Sequence, residues 1–203
     1  MTERLGIFGG TFDPPHIGHL ILAAEAWYQL ELDQVLWVLT PQPPHKRQQE
    51  ITPLHNRLEL VKAAIRDSAQ FQISRAEIDR PPPHYAVDTV RLLHKRYPRA
   101  ELIYLMGGDS LHDLPAWHAC QEFVAACHTL GVMRRPGDEI DLSVLETQIP
   151  AITSKVRFVD APLLEIAASQ IRSRIRQGKP FRYYLPEAVF QIIQDEQLYQ
   201  QAS

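Results

Sequence analysis

The chain of 203 residues holds only two cysteines, Cys120 and Cys127, too few and wrongly spaced for a disulfide framework or a C-x-x-C redox or zinc motif. They read as reduced thiols on a helix. No apolar run approaches the roughly 20 residues that a membrane span requires. The opening "MTERLGIFGG" breaks at paired glycines too early for a secretory leader. Charge is nearly balanced, with 21 Lys and Arg against 24 Asp and Glu, a net of -3. That balance, without an aromatic–basic stripe, argues against nucleic-acid and membrane partners. Neither G-x-x-x-x-G-K-[ST] nor G-x-G-x-x-G occurs, which weakens phosphate-loop and dinucleotide-cofactor readings. Internal repeats and low-complexity tracts are also missing. The expectation left standing is a soluble, cytoplasmic protein.

What is present is an ordinary globular composition, 45% hydrophobic and 22% charged. The length predicts a single domain over 1–203. Short apolar runs at 5–8, 34–40, 71–74, 101–107, 129–135 and 155–160 read as strands. Between them lie helical patterns at about 17–32, 53–68, 87–98 and 116–128, with further helices near 169–177 and 186–198. Continuous apolar strands alternating with helices predict an α/β fold, an open doubly wound parallel sheet of Rossmann-like type with a helical C-terminal part. Ligands of such folds bind beyond the carboxyl ends of the strands. Gly9-Gly10, "TPQPPHK", "GGDS" and "RRPG" all fall at those ends.

The densest chemistry lies in "GIFGGTFDPPHIGHL" (6–20). Gly9 and Gly10 would let the backbone turn tightly and approach a bound group. A helix starting near Ile17 would offer free amides and a positive dipole end to an anion. His16 and His19, three apart, would project to one side of it, and Gly18 would leave room for a nucleotide. The stretch reads as a phosphate-binding strand–loop–helix. Two histidines at this spacing also suit a surface pair or an opportunistic metal site.

"HIGH" within "FGGTFDPPHIGH" resembles the H-x-G-H signature of the nucleotidyltransferase superfamily. Class I aminoacyl-tRNA synthetases share that tetrapeptide, but are normally longer and carry a K-M-S-K-S-type loop not found here. "PPHK" (43–46), "GGDSLHDLPAW" (107–117), "MRRPG" (133–137) and "ASQIRSRI" (168–175) are similar to segments of the nicotinate-nucleotide adenylyltransferases. The likeness runs from about Leu5 to Leu198 in consistent order and spacing.

That resemblance implies adenylyl transfer from ATP to nicotinate mononucleotide, with pyrophosphate leaving. It casts His16, His19 and Arg172 as catalytic donors to the triphosphate, with phosphate charge keeping at least one ring protonated. Gly9, Gly10, Thr11, Phe12, Gly18, Gly107, Asp109, Arg134, Ser169 and Ile171 become ATP contacts, Ser169 as the N-cap of the clamp helix within the segment at about 160–200. His45, Lys46, Tyr85, Ala86 and Trp117 become mononucleotide contacts, Trp117 by stacking on the pyridine ring. Mg²⁺ is expected to arrive with ATP, Asp13 being either an indirect ligand or simply a turn residue. Arg174 and Arg176 are expected to be solvated charges. The family usually has Ser or Thr at Ala167, and Thr at Ala86, where a hydroxyl helps hold the pyridine carboxylate. An acceptor carrying the amide, or a phosphopantetheine acceptor, therefore stays open beside the acid, as does a non-catalytic nucleotide sensor. A homo-oligomer is compatible with all of this.

Overall fold

The computed structural model describes residues 2–43, 51–134, 140–162 and 164–200. Six strands, β1 (Arg4–Gly10), β2 (Gln34–Leu39), β3 (Phe71–Ser74), β4 (Glu101–Gly107), β5 (Thr129–Arg134) and β6 (Val156–Asp160), form one sheet in the order β3-β2-β1-β4-β5-β6. Every neighbouring pair is parallel. This is the doubly wound order, and its reversal falls between β1 and β4, where a crevice must open.

The apolar strand runs follow from burial on both faces. Along β2, Val35, Trp37 and Leu39 join the core beneath α1 (Ile17–Gln29) and α2 (Leu54–Ile65). Leu36 and Val38, pointing the other way, join the core beneath α3 (Ala86–Arg96), α4 (Gly108–His112) and α5 (Cys120–Ala126). The short helices α6 (Leu142–Gln148) and α7 (Ile152–Lys155) precede β6 in a stretch for which the sequence suggested no element. Asp141 caps α6 by accepting from the Ser143 amide at 2.8 Å. The last two helices, α8 (Ala168–Arg176) and α9 (Glu187–Asp195), build a third core from Ile171, Ile175, Leu185, Val189 and Ile193 around Leu60 of α2. Among the described residues no helix is long and apolar enough to cross a membrane.

The helix expected over 116–128 is the main departure. A 3₁₀ turn covers Leu114–Ala116, Trp117 is extended, and Ala119 adopts a left-handed φ of 51° before α5 begins at Cys120. Pro115 starts the 3₁₀ turn, and the left-handed residue resets the chain direction. Trp117 and His118 thus leave the helix and turn to the crevice. The cysteines occupy the start and C-cap of α5. Burial pushes the Cys127 thiol up to about 12, so it stays protonated.

The polar contact that joins most of these parts is made by Arg57. Its side chain is 1% exposed, although the helical pattern alone would place it with the solvated charges. Nε donates to the Thr52 carbonyl at 2.8 Å. Nη1 donates to Thr11 and Thr40, and Nη2 to Pro41, each at 2.9 Å. One guanidinium therefore ties the loop after β1 to the loop after β2 and to the start of α2. Replacing Arg57 by Met should strand these carbonyls without donors and lower unfolding stability by at least about 3 kcal/mol. Urea denaturation midpoints would measure it, and a loss below about 1 kcal/mol would contradict the tie.

Candidate active site

The loop after β1 differs in detail from a tight glycine turn. Gly9 and Gly10 stay in the strand, paired in register with Val38 and Leu39. What requires glycine at position 10 is Phe12, whose ring folds back so closely that a Cβ on Gly10 would meet it at 2.8 Å. Phe12 reaches this position with a left-handed φ of 46°. Its ring is buried against Phe8, Trp37 and His19, with centroids 5.5, 4.9 and 5.2 Å away. The Phe12 ring, from a residue expected to touch ATP, lies buried beneath His19.

His16 is the N-cap of α1 and is buried. Its ring stacks on that of His19 at 3.7 Å between centroids. The His16 amide donates to Nδ1 of His19 at 3.1 Å. That bond fixes the neutral tautomer of His19 with its proton on Nε2, a donor that needs no positive charge. Nδ1 of His16 has no hydrogen-bond partner among the described residues. Burial holds the His16 ring down at about 4, so the protein alone keeps it neutral. Gly18 has a different reason from the one expected. A Cβ there would come within 3.1 Å of Nδ1 of His16, so the glycine makes room for the imidazole. The same Cβ would lie 3.9 Å from Ile166, which places the segment before α8 against the first turn of α1.

Arg172 closes this corner. Its Nη1 donates to the Asp13 carbonyl at 2.6 Å, within the loop that leads to His16. The Asp13 carboxylate accepts from the Thr52 amide at 3.2 Å through Oδ2 and from the Tyr199 hydroxyl at 2.8 Å through Oδ1. Both oxygens of Asp13 thus tie its loop to Thr52 and Tyr199. Ser169 is not the N-cap of α8. Ala167 is, and Ser169 sits exposed in the first turn. Gln170 reaches back to the Ala167 amide at 3.4 Å. Ile171, expected as an ATP contact, has a fully buried side chain, and its amide donates to the Ala167 carbonyl at 3.1 Å. Arg174 is tied rather than solvated, donating to the Pro180 carbonyl at 2.7 Å and lying over the Tyr184 ring. Arg176 is exposed as expected.

Beside this corner the crevice widens into a cleft of about 880 Å³. Gly9, Gly10, Thr11, Thr40, Pro43, Tyr85, Ala86, Gly107 and Trp117 are among the residues that line it. The histidine pair lies outside this lining, farther along the loop past Thr11. Gly107 is the N-cap of α4 and faces open space, with no atom within 4 Å of a Cβ built on it. Asp109, in the first turn of α4, is exposed and outside the lining, whereas Ser110 and Asp113 belong to it. Arg134 ends β5 opposite Asp160; its side chain is outside what is described, as are His45 and Lys46 altogether.

Among the lining residues without a sequence expectation, four stand out for their chemistry. His118 stacks on Tyr85 at 4.0 Å, extending an aromatic wall that includes Trp117 and Tyr104. Glu77 is buried and accepts from the Thr89 hydroxyl at 2.6 Å. Burial raises its pKa against the hydroxyls of Thr89 and Thr40 and the charge of Arg80. His84 is buried, and burial followed by the Arg80 charge lowers its pKa. Arg80 pins this loop by donating to the Pro83 and Tyr85 carbonyls at 3.3 and 3.4 Å. For His118 the signal was available: it adjoins Trp117. For Glu77, His84 and Tyr104 only the packed sheet supplies it.

A parallel 3-2-1-4-5-6 sheet with a stacked H-x-G-H pair at its switch point is a nucleotidyltransferase arrangement, and residues 7–174 match the family model described as cytidylyltransferase-like. The chain is 46% identical over 197 residues to the "Probable nicotinate-nucleotide adenylyltransferase" of Thermomicrobium roseum, spanning 97% of this chain and 92% of that protein. It is 36% identical to the nicotinate-nucleotide adenylyltransferase of Bacillus subtilis over 98% of this chain and 99% of that one. Its fold is also that of the Plasmodium falciparum nicotinic acid mononucleotide adenylyltransferase complexed with NaAD, with a TM-score of 0.79, 18% identity and 97% of each chain covered. The chain belongs to the nicotinate-nucleotide adenylyltransferase family and is an enzyme.

The buried His16 ring gives a pH dependence. An unfolded ring takes up a proton near 6.5, whereas the folded ring resists it until about 4. The unfolded state binds more protons across that window. Stability should therefore be intact above pH 6.5 and fall as pH drops towards 4, by at most about 3 kcal/mol. A His16→Asn variant should lose this slope in urea unfolding at stepped pH. An unchanged slope would contradict it.

Proposed function

We propose that the enzyme joins nicotinate mononucleotide to the adenylyl group of ATP, giving nicotinate adenine dinucleotide and pyrophosphate. A phosphate oxygen of the mononucleotide attacks the α-phosphorus, and the bond from that phosphorus to the pyrophosphate oxygen breaks. The attacking oxygen is already anionic, so no general base is needed. What the reaction demands is alignment of two anionic groups and stabilisation of charge moving onto the leaving group. The observation that carries this reading is the stacked His16–His19 pair at the N-terminus of α1, tied through Asp13 to Arg172. Two imidazoles, a guanidinium and a helix dipole supply donors and positive potential where a triphosphate would lie.

The neutral His19 would turn its Nε2 proton to a phosphate oxygen when the triphosphate binds. Triphosphate charge beside His16 would raise its pKa from about 4, so ligand binding itself would recruit the second donor. The open face of Gly107 suits close approach of the adenosine. Ala86, the first residue of α3, presents a helix N-terminus, and Tyr85, His118 and Trp117 flank it. That combination of a flat aromatic wall and an amide-rich helix end fits an aromatic carboxylate. Mg²⁺, carried by the triphosphate, would screen its charge. Among the described residues no group of three or more metal-ligating side chains gathers, so the ion would be held chiefly by phosphate oxygens. Substrates of this polarity suit an aqueous compartment, the cytoplasm.

His16→Ala and His19→Ala should each lower turnover by about 10²–10³-fold while leaving the fold intact. Pyrophosphate release on mixing with ATP and the mononucleotide is the assay. Near-normal release by both variants would remove the donor roles, and no release by the parent chain would favour a sensor. The acceptor is tested by comparing kcat/KM for the acid and amide mononucleotides. The acid should be preferred, and equal values would overturn the stated substrate.

A further inference from the structure

Tyr199 lies 186 residues downstream of Asp13, yet its hydroxyl donates to Asp13 Oδ1 at 2.8 Å. The contact is built, not incidental. Tyr199 takes a left-handed φ of 66° to make it, and its hydroxyl also meets the Thr52 side chain. Asp13 is 5% exposed, and its other oxygen accepts from the Thr52 amide. Beside it runs the guanidinium of Arg57, whose charge and that of Asp13 sit in the same buried pocket. The carbonyl of Asp13 holds Nη1 of Arg172 at 2.6 Å. The same loop continues through Pro14 and Pro15 into His16.

We propose that Tyr199 is a positioning residue for the triphosphate end of the site. Its hydroxyl sets the orientation of Asp13, and Asp13 in turn sets both Arg172 and the entry to the His16–His19 stack. A single hydroxyl from beyond α9 thereby governs donors on two separate helices, α1 and α8. Supporting elements run the same way: Asn56 of α2 donates to Glu196 at 2.8 Å, anchoring the segment that carries Tyr199. The inference rests on the functional reading above only for the identity of the ligand.

Tyr199→Phe tests it, because the ring and its packing remain and only the hydroxyl goes. Binding of the β,γ-methylene analogue of ATP, followed by calorimetry, should weaken about tenfold. Affinity for nicotinate mononucleotide should stay within about twofold. Amide hydrogen exchange in the ligand-free protein should quicken over residues 12–20 and stay unchanged in the sheet. Asp13→Asn, which cannot accept at both positions, should reproduce the pattern. Unchanged analogue affinity in Tyr199→Phe, or equal weakening for both ligands, would overturn the proposal. Should the parent chain fail to bind the analogue, the functional reading falls, and exchange over residues 12–20 still judges the positioning role: unchanged exchange ends it.

Discussion

Among the described residues the buried guanidinium of Arg57 hydrogen-bonds to no carboxylate, and it is kept because four backbone carbonyls need it. Loops at the carboxyl ends of parallel strands leave the sheet with carbonyls that no neighbouring strand can satisfy. At the ends of β1 and β2 those groups belong to Thr11, Thr40 and Pro41, and one planar fork reaches them together with Thr52. The charge is costly to bury and is opposed by the nearby Asp13 carboxylate, which favours the protonated guanidinium. Without this tie the loop that carries Phe12, Asp13 and His16 loses a direct link to the loop after β2 and to the start of α2.

From that anchor the chemistry follows in order of distance. Phe12 supports His19 from below, His19 stacks on His16, and Gly18 makes space for the stack. The arrangement holds two imidazoles in contact while keeping His16 neutral, which avoids two adjacent positive rings in a buried place. A polyanion would supply the charge that lets His16 take a proton.

Much of the architecture was legible because parallel strands buried on both faces must be apolar throughout, so 34–39 and 101–107 read directly as β2 and β4. Where reading failed, a tertiary contact had overridden a local pattern. Residues 116–128 have helical spacing, but the chain breaks it at Trp117 and Ala119 to turn an aromatic wall into the cleft. Ser169 looked like a cap because hydroxyls favour that position, yet the cap is Ala167, two residues earlier, and Ile171 and Ile175 face the third core. Ile171 was grouped with ligand contacts by its place in a motif, while its side chain belongs to packing alone.

The sequence by itself determined the alternation of elements, the glycine and histidine chemistry at the end of the first strand, and the family to which the chain belongs. These are properties of residue type and short spacing, which survive without knowledge of distant neighbours. Only the tertiary structure decided that Arg57 is the central tie, that Asp13 is bonded to Tyr199 and Thr52, and that Glu77, His84 and Tyr104 line the cleft. Those assignments join residues up to 186 positions apart, and no local pattern encodes which buried polar group will find which partner once the sheet has closed.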